Sequence, residues 1–226
     1  KNMNEKTAQF SLRGLFQPRD LTEGTPWKTI LAFALPIIIS YLLQQVYTIS
    51  DAAIVGQTLT AGEVAGVNDT TSIIFIFLQF AFGVSAGFCV LTAAEVGAHH
   101  EAGVRRSLAA QILLSAALTV LLTGLALLLL KPMLAWINVT PESPEVYRAA
   151  HTYCAIIFAG IGAQLFYNFI CSFLRSMGDS VTPLLFLLFS TILNIGLDLL
   201  FIVSFHWGVA GAAIATVAAQ LISTVG

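Results

Sequence analysis

Long apolar runs alternate with short polar stretches along most of this chain. Six of the runs have lengths close to the roughly 20 residues that a helix needs to cross the hydrocarbon core of a bilayer. They cover residues 29–54, 71–94, 107–130, 149–174, 182–205 and 208–226. Strands of a membrane barrel would alternate apolar and polar residues, and no segment does so, which favours helices. The pattern therefore predicts an all-α membrane protein, a bundle of six transmembrane helices.

Charges and turn residues concentrate between these runs. The main examples are GQTLTAGEVAG after the first run, VGAHHEAGVRRS after the second and KPMLAWINVTPESPEVYR after the third. Because glycine, proline and clustered polar residues interrupt helices, we expect each of these stretches to be a loop.

The overall composition agrees with a membrane environment. Of the 226 residues, 57% are hydrophobic and 10% are charged, whereas soluble domains carry about 25% charged residues. No basic patch interleaved with aromatic residues points to nucleic acid. The cysteines Cys89, Cys154 and Cys171 lie far apart in apolar runs, so they are expected to be small buried hydrophobes and not a disulfide framework. The lipid bilayer is the predicted partner.

The basic residues predict the orientation. Eight of the ten Lys and Arg residues precede the first run or follow the second and fourth, and only Lys131 and Arg148 lie on the other side. By the positive-inside rule the N-terminus is cytoplasmic. We expect a multi-pass protein of the inner (plasma) membrane. Residues 1–27 lack the apolar segment of a signal peptide and are predicted to form a cytoplasmic tail before a six-helix unit, residues 28–226.

The last apolar run, GVAGAAIATVAAQLISTVG, continues to the final residue. No basic residue or tail follows it, so we interpret the chain as part of a longer protein. Thr216 is the polar exception in this run. Small residues at helical spacing would let another helix approach closely; these are Gly208, Gly211, Ala212, Ala215 and Ala219.

Two acidic residues fall at or near membrane depth, Asp51 and Asp198. An ionised carboxylate in an apolar medium is costly unless it is partnered, and in a membrane it is a functional hypothesis by default. Asn194 and Ser190 precede Asp198 by four and eight positions, so the three form one polar stripe on a helix. Polar residues also hold helices together by hydrogen bonds, but that role does not need an ionisable group.

The first run carries a similar stripe, with Gln44, Tyr47 and Asp51 at i, i+3 and i+7. For Gln44 and Tyr47, a role in packing between helices and a role in function remain equally open. Pro36 removes one backbone hydrogen bond from the same helix. It predicts either a static kink or a hinge, and the sequence alone does not decide between them.

Several segments together resemble the N-terminal half of MATE (multidrug and toxic compound extrusion) transporters. The first span, ILAFALPIIISYLLQQVYTISDAAIVGQTL, has a mid-helix proline, a Gln-rich polar turn, and then aspartate and VG. GVSAGFCVLTAAEVGAHHEAGVRRSLAAQ is similar to the family's second helix and cytoplasmic turn. FLRSMGDSVTPLLFLLFSTILNIGLDLLFIV contains its R-x-x-G-D-x-x-x-P run and N-x-x-x-D pair, and WGVAGAAIATVAAQ resembles its sixth helix. The resemblance covers nearly all of residues 25–226.

The resemblance implies a fold of twelve helices in two lobes, of which this chain would supply the N-terminal lobe and lack the C-terminal one. It implies a secondary active transporter, not an enzyme, that exports organic cations or drugs in exchange for H⁺ or Na⁺ and needs no other cofactor. The implied cation or proton site, with the metal ligands if Na⁺ is the coupling ion, consists of Asp51, Asn194, Asp198 and Thr216. The implied substrate cavity is lined by Gln44, Tyr47 and Asn168, and the implied bending point of the first helix is Pro36.

A shared cavity would explain how the membrane tolerates the two acids. Two carboxylates close together in a low dielectric cannot both stay ionised without a counter-charge. Either one holds a proton or a Na⁺ sits between them. Asn194 and Thr216 would add neutral oxygens, which suit a hard cation.

Three other functions fit parts of this pattern less well. A lipid-linked flippase of the same superfamily would favour a cavity ringed with Lys or Arg, and the spans contain almost none. Intramembrane aspartyl proteases resemble one another in a G-x-G-D motif, whereas this chain reads NIGLD, with Asn194 in place of the first glycine. A scaffold that transports nothing does not account for two buried acids.

Overall fold

The computed structural model describes residues 25–225, and within this range every regular element is helical. The helices are α1 (Pro26–Thr58), α2 (Ala61–Gly97), α3 (Glu101–Leu128), α4 (Leu130–Trp136), α5 (Pro144–Ala159), α6 (Ile161–Ser176), α7 (Val181–Asp198) and α8 (Gly208–Val225). A short π-helical segment, Leu199–Ser204, continues α7. The all-α prediction is confirmed for the described residues.

The six predicted spans correspond to α1, α2, α3, the α5–α6 pair, α7 with its π-helical extension, and α8. Four of these stretches are long and apolar enough to cross a membrane, and the bent α5–α6 pair makes a fifth if it is counted as one span. The sixth predicted span is helical as far as it is described, since α8 runs from Gly208 to Val225.

The predicted loop GQTLTAGEVAG is mostly helical, because a capping box starts α2 at Ala61. The Thr60 hydroxyl accepts a hydrogen bond from the Glu63 amide, and the Glu63 carboxylate accepts one from the Thr60 amide. These two bonds satisfy backbone donors that a helix start otherwise leaves unpaired. The second span thus begins ten residues before the predicted start at residue 71.

The other two predicted loops are also shorter than expected. Within VGAHHEAGVRRS, only residues 98–100 separate α2 from α3. Within KPMLAWINVTPESPEVYR, the chain forms α4 and then enters α5 at Pro144, which leaves residues 137–143 as the loop. Proline is favoured at this first helical position because its missing N–H would be unpaired there anyway.

The fourth predicted span is broken into α5 and α6, which meet at Gly160 with a bend of 47°. A side chain at Gly160 would collide with the Val217 side chain of α8. The bend therefore lies at a close contact with α8, and hydropathy gave no sign of it because the apolar run is continuous.

The small-residue face of α8 packs into the bundle as the sequence predicted. Ala212, Ala215 and Ala219 are almost completely buried, and α8 contacts α5, α6 and α7. Helix α1 lies at the side of the bundle, mainly along α7. Large apolar residues of α1, such as Leu42 and Ile49, are exposed on its outer face.

The predicted tail, residues 1–27, falls almost entirely outside the described residues. The division into a tail and a six-helix unit at residue 28 therefore stays a prediction.

Candidate functional site

The two acids of the membrane interior lie next to each other. Asp198, the last residue of α7, is completely buried, and Asp51 is half-buried on α1. Their carboxyl groups are within hydrogen-bonding reach of one another. Because an ionised carboxylate only accepts hydrogen bonds, the two groups can bond directly only when one of them carries a proton.

Buried polar atoms without a hydrogen-bond partner concentrate around this pair. Native proteins pair about 90% or more of their buried polar groups, so such atoms call for an explanation. The atoms at this place are Tyr47 Oη, Asp51 Oδ1, Asn194 Oδ1 and Nδ2, Asp198 Oδ1 and Oδ2, and Thr216 Oγ1. Most of them are oxygens that can bind a proton or a hard cation.

Three helices bring these residues together. Asn194 lies one turn before Asp198 on α7 and is also completely buried. Tyr47 lies one turn before Asp51 on α1, and its hydroxyl faces the Thr216 hydroxyl of α8. The four residues of the implied cation site thus lie on the packed faces of α1, α7 and α8, although their role as ligands stays a prediction.

A cavity of about 590 Å³ opens beside the acid pair. Its lining comes from α1, α2, the α5–α6 pair, α7 and α8. Gln44, Tyr47 and Asn168, which the resemblance implied as lining residues, all contribute to its wall, as do Asp51 and Thr216. The arrangement places a polar, carboxylate-bearing chamber inside an apolar bundle.

Several lining residues are not among those predicted from the sequence. Tyr153 of α5 lies close enough to Asp51, Asp198 and Tyr47 for their charges to act on its hydroxyl. Arg175 of α6 is the one Lys or Arg among the described lining residues. The cavity wall also includes four more glutamines, Gln45, Gln79, Gln164 and Gln220. Tyr153 and the four glutamines are polar residues inside apolar runs, and that signal would have found them, whereas Arg175 follows the end of the fourth run.

Pro36 lies inside α1, which continues through it as one helix. The Ser40 hydroxyl donates a 2.8 Å hydrogen bond to the Pro36 carbonyl. Proline leaves the carbonyl four residues earlier without its helical partner, so this turn of α1 is held less firmly than its neighbours. Whether it acts as a hinge stays a prediction.

The donor atoms of the site fit a proton or a monovalent hard cation. Its strong ligands are two carboxylates, supplemented by the Asn194 amide oxygen and the Thr216 hydroxyl. Within residues 25–225, no group of three or more His, Cys, Asp and Glu side chains comes together. Oxygen ligands of this kind are preferred by hard cations, whereas softer transition metals prefer imidazole and thiolate.

Comparisons with known proteins agree with this arrangement. The MatE family profile matches residues 36–200. The chain is 32% identical over 207 residues to the Probable multidrug resistance protein YpnP of Bacillus subtilis. The aligned region covers 89% of this chain and 44% of that protein. It is also 27% identical over 201 residues to the Probable multidrug resistance protein NorM of Thermotoga maritima. This alignment covers 86% of this chain and 42% of that protein.

Solved structures show the same relationship. A MOP superfamily transporter from Pyrococcus furiosus matches with a TM-score of 0.83 and 25% identity, over 91% of this chain and 44% of that one. Structures described as MATE in the straight and in the bent conformation both match with a TM-score of 0.80 and 26% identity. The match to the straight structure covers 91% of this chain and 45% of that one. The match to the bent structure covers 89% of this chain and 44% of that one.

The chain spans less than half the length of these relatives. The MATE proteins among them are transporters and not enzymes, which removes the protease alternative. The profile match covers most of the chain, and the helices it spans carry the acid pair and its neighbours. The chain therefore belongs to the MatE family of membrane transporters.

Proposed function

We propose that this chain is the N-terminal lobe of a secondary active antiporter that exports organic cations or drugs in exchange for H⁺ or Na⁺. The observation that carries the proposal is the pair Asp51 and Asp198, within hydrogen-bonding reach and surrounded by unpaired oxygens beside a cavity. The names of the relatives as multidrug resistance proteins support the export of drugs.

The coupling step follows from the cost of two charges in a low dielectric. The site holds either one shared proton or one Na⁺ in order to keep the acid pair partnered. An organic cation in the cavity supplies the counter-charge instead, so ion and cargo stabilise different states of the same carboxylates. Such reciprocal coupling is what exchange transport requires.

The cavity wall supports a broad choice of cargo. Glutamine and asparagine amides both donate and accept hydrogen bonds, and the aromatic rings of Tyr47, Tyr153 and Phe82 face the same chamber. Aromatic faces attract organic cations. A lipid-linked phosphate would favour a cavity ringed with several Lys or Arg side chains, whereas Arg175 is the one Lys or Arg among the described lining residues. The flippase alternative is therefore not favoured.

The conformational change is assigned to α1. Pro36 weakens one turn of this helix, and α1 packs at the side of the bundle with little contact to α2. The equal match to a straight and a bent MATE structure supports a lobe of this fold that exists in both forms. We place the protein in the inner (plasma) membrane with a cytoplasmic N-terminus, working together with a C-terminal lobe.

Dye export from proteoliposomes tests the function. Vesicles that contain the protein are loaded with ethidium, and an H⁺ or Na⁺ gradient directed inward is imposed. We expect efflux that depends on one of the gradients and is lost in Asp198→Asn, which keeps the shape and removes the titratable group. The matched control is Asp69→Asn, an exposed aspartate of α2, which should export normally. Gradient-driven efflux by Asp198→Asn would show that the coupling ion binds elsewhere.

A further inference from the structure

The π-helical segment Leu199–Ser204 begins at the residue after Asp198. At its end the Phe205 amide donates a 2.9 Å hydrogen bond to the Leu200 carbonyl, five residues earlier, whereas an α-helix pairs residues four apart. The segment therefore holds one more residue in its turn than an α-helix would. Such turns are rare, and they occur frequently at functional sites. The buried acid and the irregular turn are thus adjacent.

The C-terminal end of the segment is firmly packed. The rings of Phe201 and Phe205 lie against the Trp207 ring, with centroids 4.9 and 5.5 Å from it. The Phe201 backbone also lies so close to α8 that a methyl group at Gly211 would sit 3.1 Å from its carbonyl carbon. No proline follows Pro183 in this span, so no missing backbone donor forces the irregular turn. Packing fixes this end, and the extra residue lies between it and the acid.

Ile202 links the segment to α1. Its buried side chain packs in one cluster with Val55 of α1 and Ala212 of α8. Val55 and Ile202 each follow one of the two acids by four residues, which is about one helical turn. The contact of α1 with α7 at the acid pair therefore continues into the π-helical segment.

The position of the extra residue decides which side chains face α1. If it moves to a turn before Asn194, each residue that it passes shifts by one position, about 100° around the helix axis and about 1.5 Å along it. Asp198 then takes the place that Leu197 now holds, and Leu199 takes the place of Asp198. Ile195 replaces Asn194 in the same way. The shift therefore exchanges a polar stripe for an apolar one.

The surroundings of α7 leave room for this shift. Leu197 is half-buried, so Asp198 in its place would stay partly shielded from lipid. Leu197 itself would move to the place of Gly196, where an added side chain meets no atom within 4 Å. Leu199, which is now 49% exposed, would turn into the bundle.

The acid pair supplies the driving force. Without a proton or a cation between them, the carboxylates of Asp51 and Asp198 repel each other in a low dielectric. The neighbouring titratable groups, Tyr47 and Tyr153, offer no positive charge to offset this repulsion. We propose that the π-helical segment is a register switch: when the ion leaves, the extra residue moves past Asp198, and α7 turns this acid away from Asp51. The inference rests on the proposed ion-coupled transport and adds a second moving element to α1.

Deleting Val203 tests whether transport needs the extra residue. Val203 lies in the segment and is exposed, and its removal should restore the α-helical register while Asp198 stays beside Asp51. The complete transporter should then bind ethidium normally, but gradient-driven efflux should slow about tenfold or more, because a conformational step is blocked. Val203→Ala keeps the number of residues and should export within about twofold of the wild type. Efflux at the wild-type rate by the deletion variant would overturn the proposal.

Fluorine NMR follows the shift itself in a chain of natural length. A small trifluoroethyl label is attached to Leu199→Cys, with the three native cysteines replaced by alanine, and its broadening by dissolved oxygen reports contact with lipid. In NaCl or in acidic buffer the label should face lipid and broaden strongly. In alkaline choline chloride it should turn into the bundle and lose most of this broadening. The same label on Leu121→Cys, an exposed residue of α3, should respond equally in every buffer.

Two variants separate the switch from a static irregularity. In Asp198→Asn the repulsion is absent, and in the Val203 deletion no residue is left to move, so the Leu199 label should face lipid in every buffer. The same constant signal in the protein with Asp198 and Val203 intact would overturn the proposal, even if the deletion variant fails to insert. If that protein exports ethidium, this inference alone fails. Gradient-driven efflux by Asp198→Asn would instead contradict the proposed function of the acid pair.

Discussion

The carboxyl groups of Asp51 on α1 and Asp198 on α7 lie within hydrogen-bonding reach of one another. Both oxygens of Asp198 and one oxygen of Asp51 are buried without a hydrogen-bond donor among the described residues. Two like charges at this separation are unfavourable unless a proton or a cation lies between them. The acid pair therefore lowers the stability of the folded lobe until a proton or a cation binds, and the first two predictions follow from this destabilisation.

Removing the titratable group should stabilise the lobe. Asp198→Asn abolishes the repulsion and the desolvation of a buried carboxylate, so we expect an increase in thermal stability in detergent of about 1–2 kcal/mol. Differential scanning fluorimetry measures it. Asp69→Asn, an exposed aspartate on α2, serves as the control and should change stability by no more than about 0.5 kcal/mol. A destabilised Asp198→Asn would mean that Asp198 has a stabilising partner.

Na⁺ and protons should compete for the acid pair. Adding NaCl in place of choline chloride should raise the melting temperature of the wild type in alkaline buffer, because binding to the folded state stabilises it. The increase should shrink as the pH falls, since protonated carboxyls bind Na⁺ poorly. In Asp198→Asn the increase should be lost at every pH. An equal response of the wild type and the variant would assign the effect to ionic strength.

The hinge role of Pro36 makes a separate prediction. Pro36→Ala restores the missing backbone hydrogen bond and should favour the straight form of α1. We expect the variant to insert normally and to bind dye, but to export it several-fold more slowly. Proteoliposome efflux and dye binding are measured on the same preparation. Normal efflux would leave Pro36 as a static feature of the helix.

The close packing of Gly160 against Val217 predicts a rescue. A methyl group at Gly160 would collide with the Val217 side chain, so Gly160→Ala should destabilise the bundle by about 1–3 kcal/mol. Val217→Ala removes the branches that collide. The double variant should therefore be more stable than Gly160→Ala alone, a coupling that a double-mutant cycle measures. Additive losses would show that Val217 is not what excludes a side chain at Gly160.

Hydropathy alone located the spans, since crossing a bilayer requires a long apolar run regardless of what surrounds it. The α7 stripe was equally accessible, because four residues make about one helical turn and therefore place Asn194 beside Asp198. The starts of the helices were harder to predict from the sequence. The capping box at Thr60 extends α2 into a stretch rich in glycine and polar residues, and local hydrogen bonds there outweigh composition.

The tertiary structure decided which faces meet. Lipid and protein interior are both apolar, so hydrophobicity does not tell which side of a membrane helix faces its neighbours. The contact of Asp51 with Asp198, the bend at Gly160 beneath α8, and the position of Tyr153 beside the acids all depend on helix packing between distant parts of the chain. For the same reason Arg175, which the sequence marks only as a basic residue near a predicted loop, lines the cavity because α6 is turned toward it.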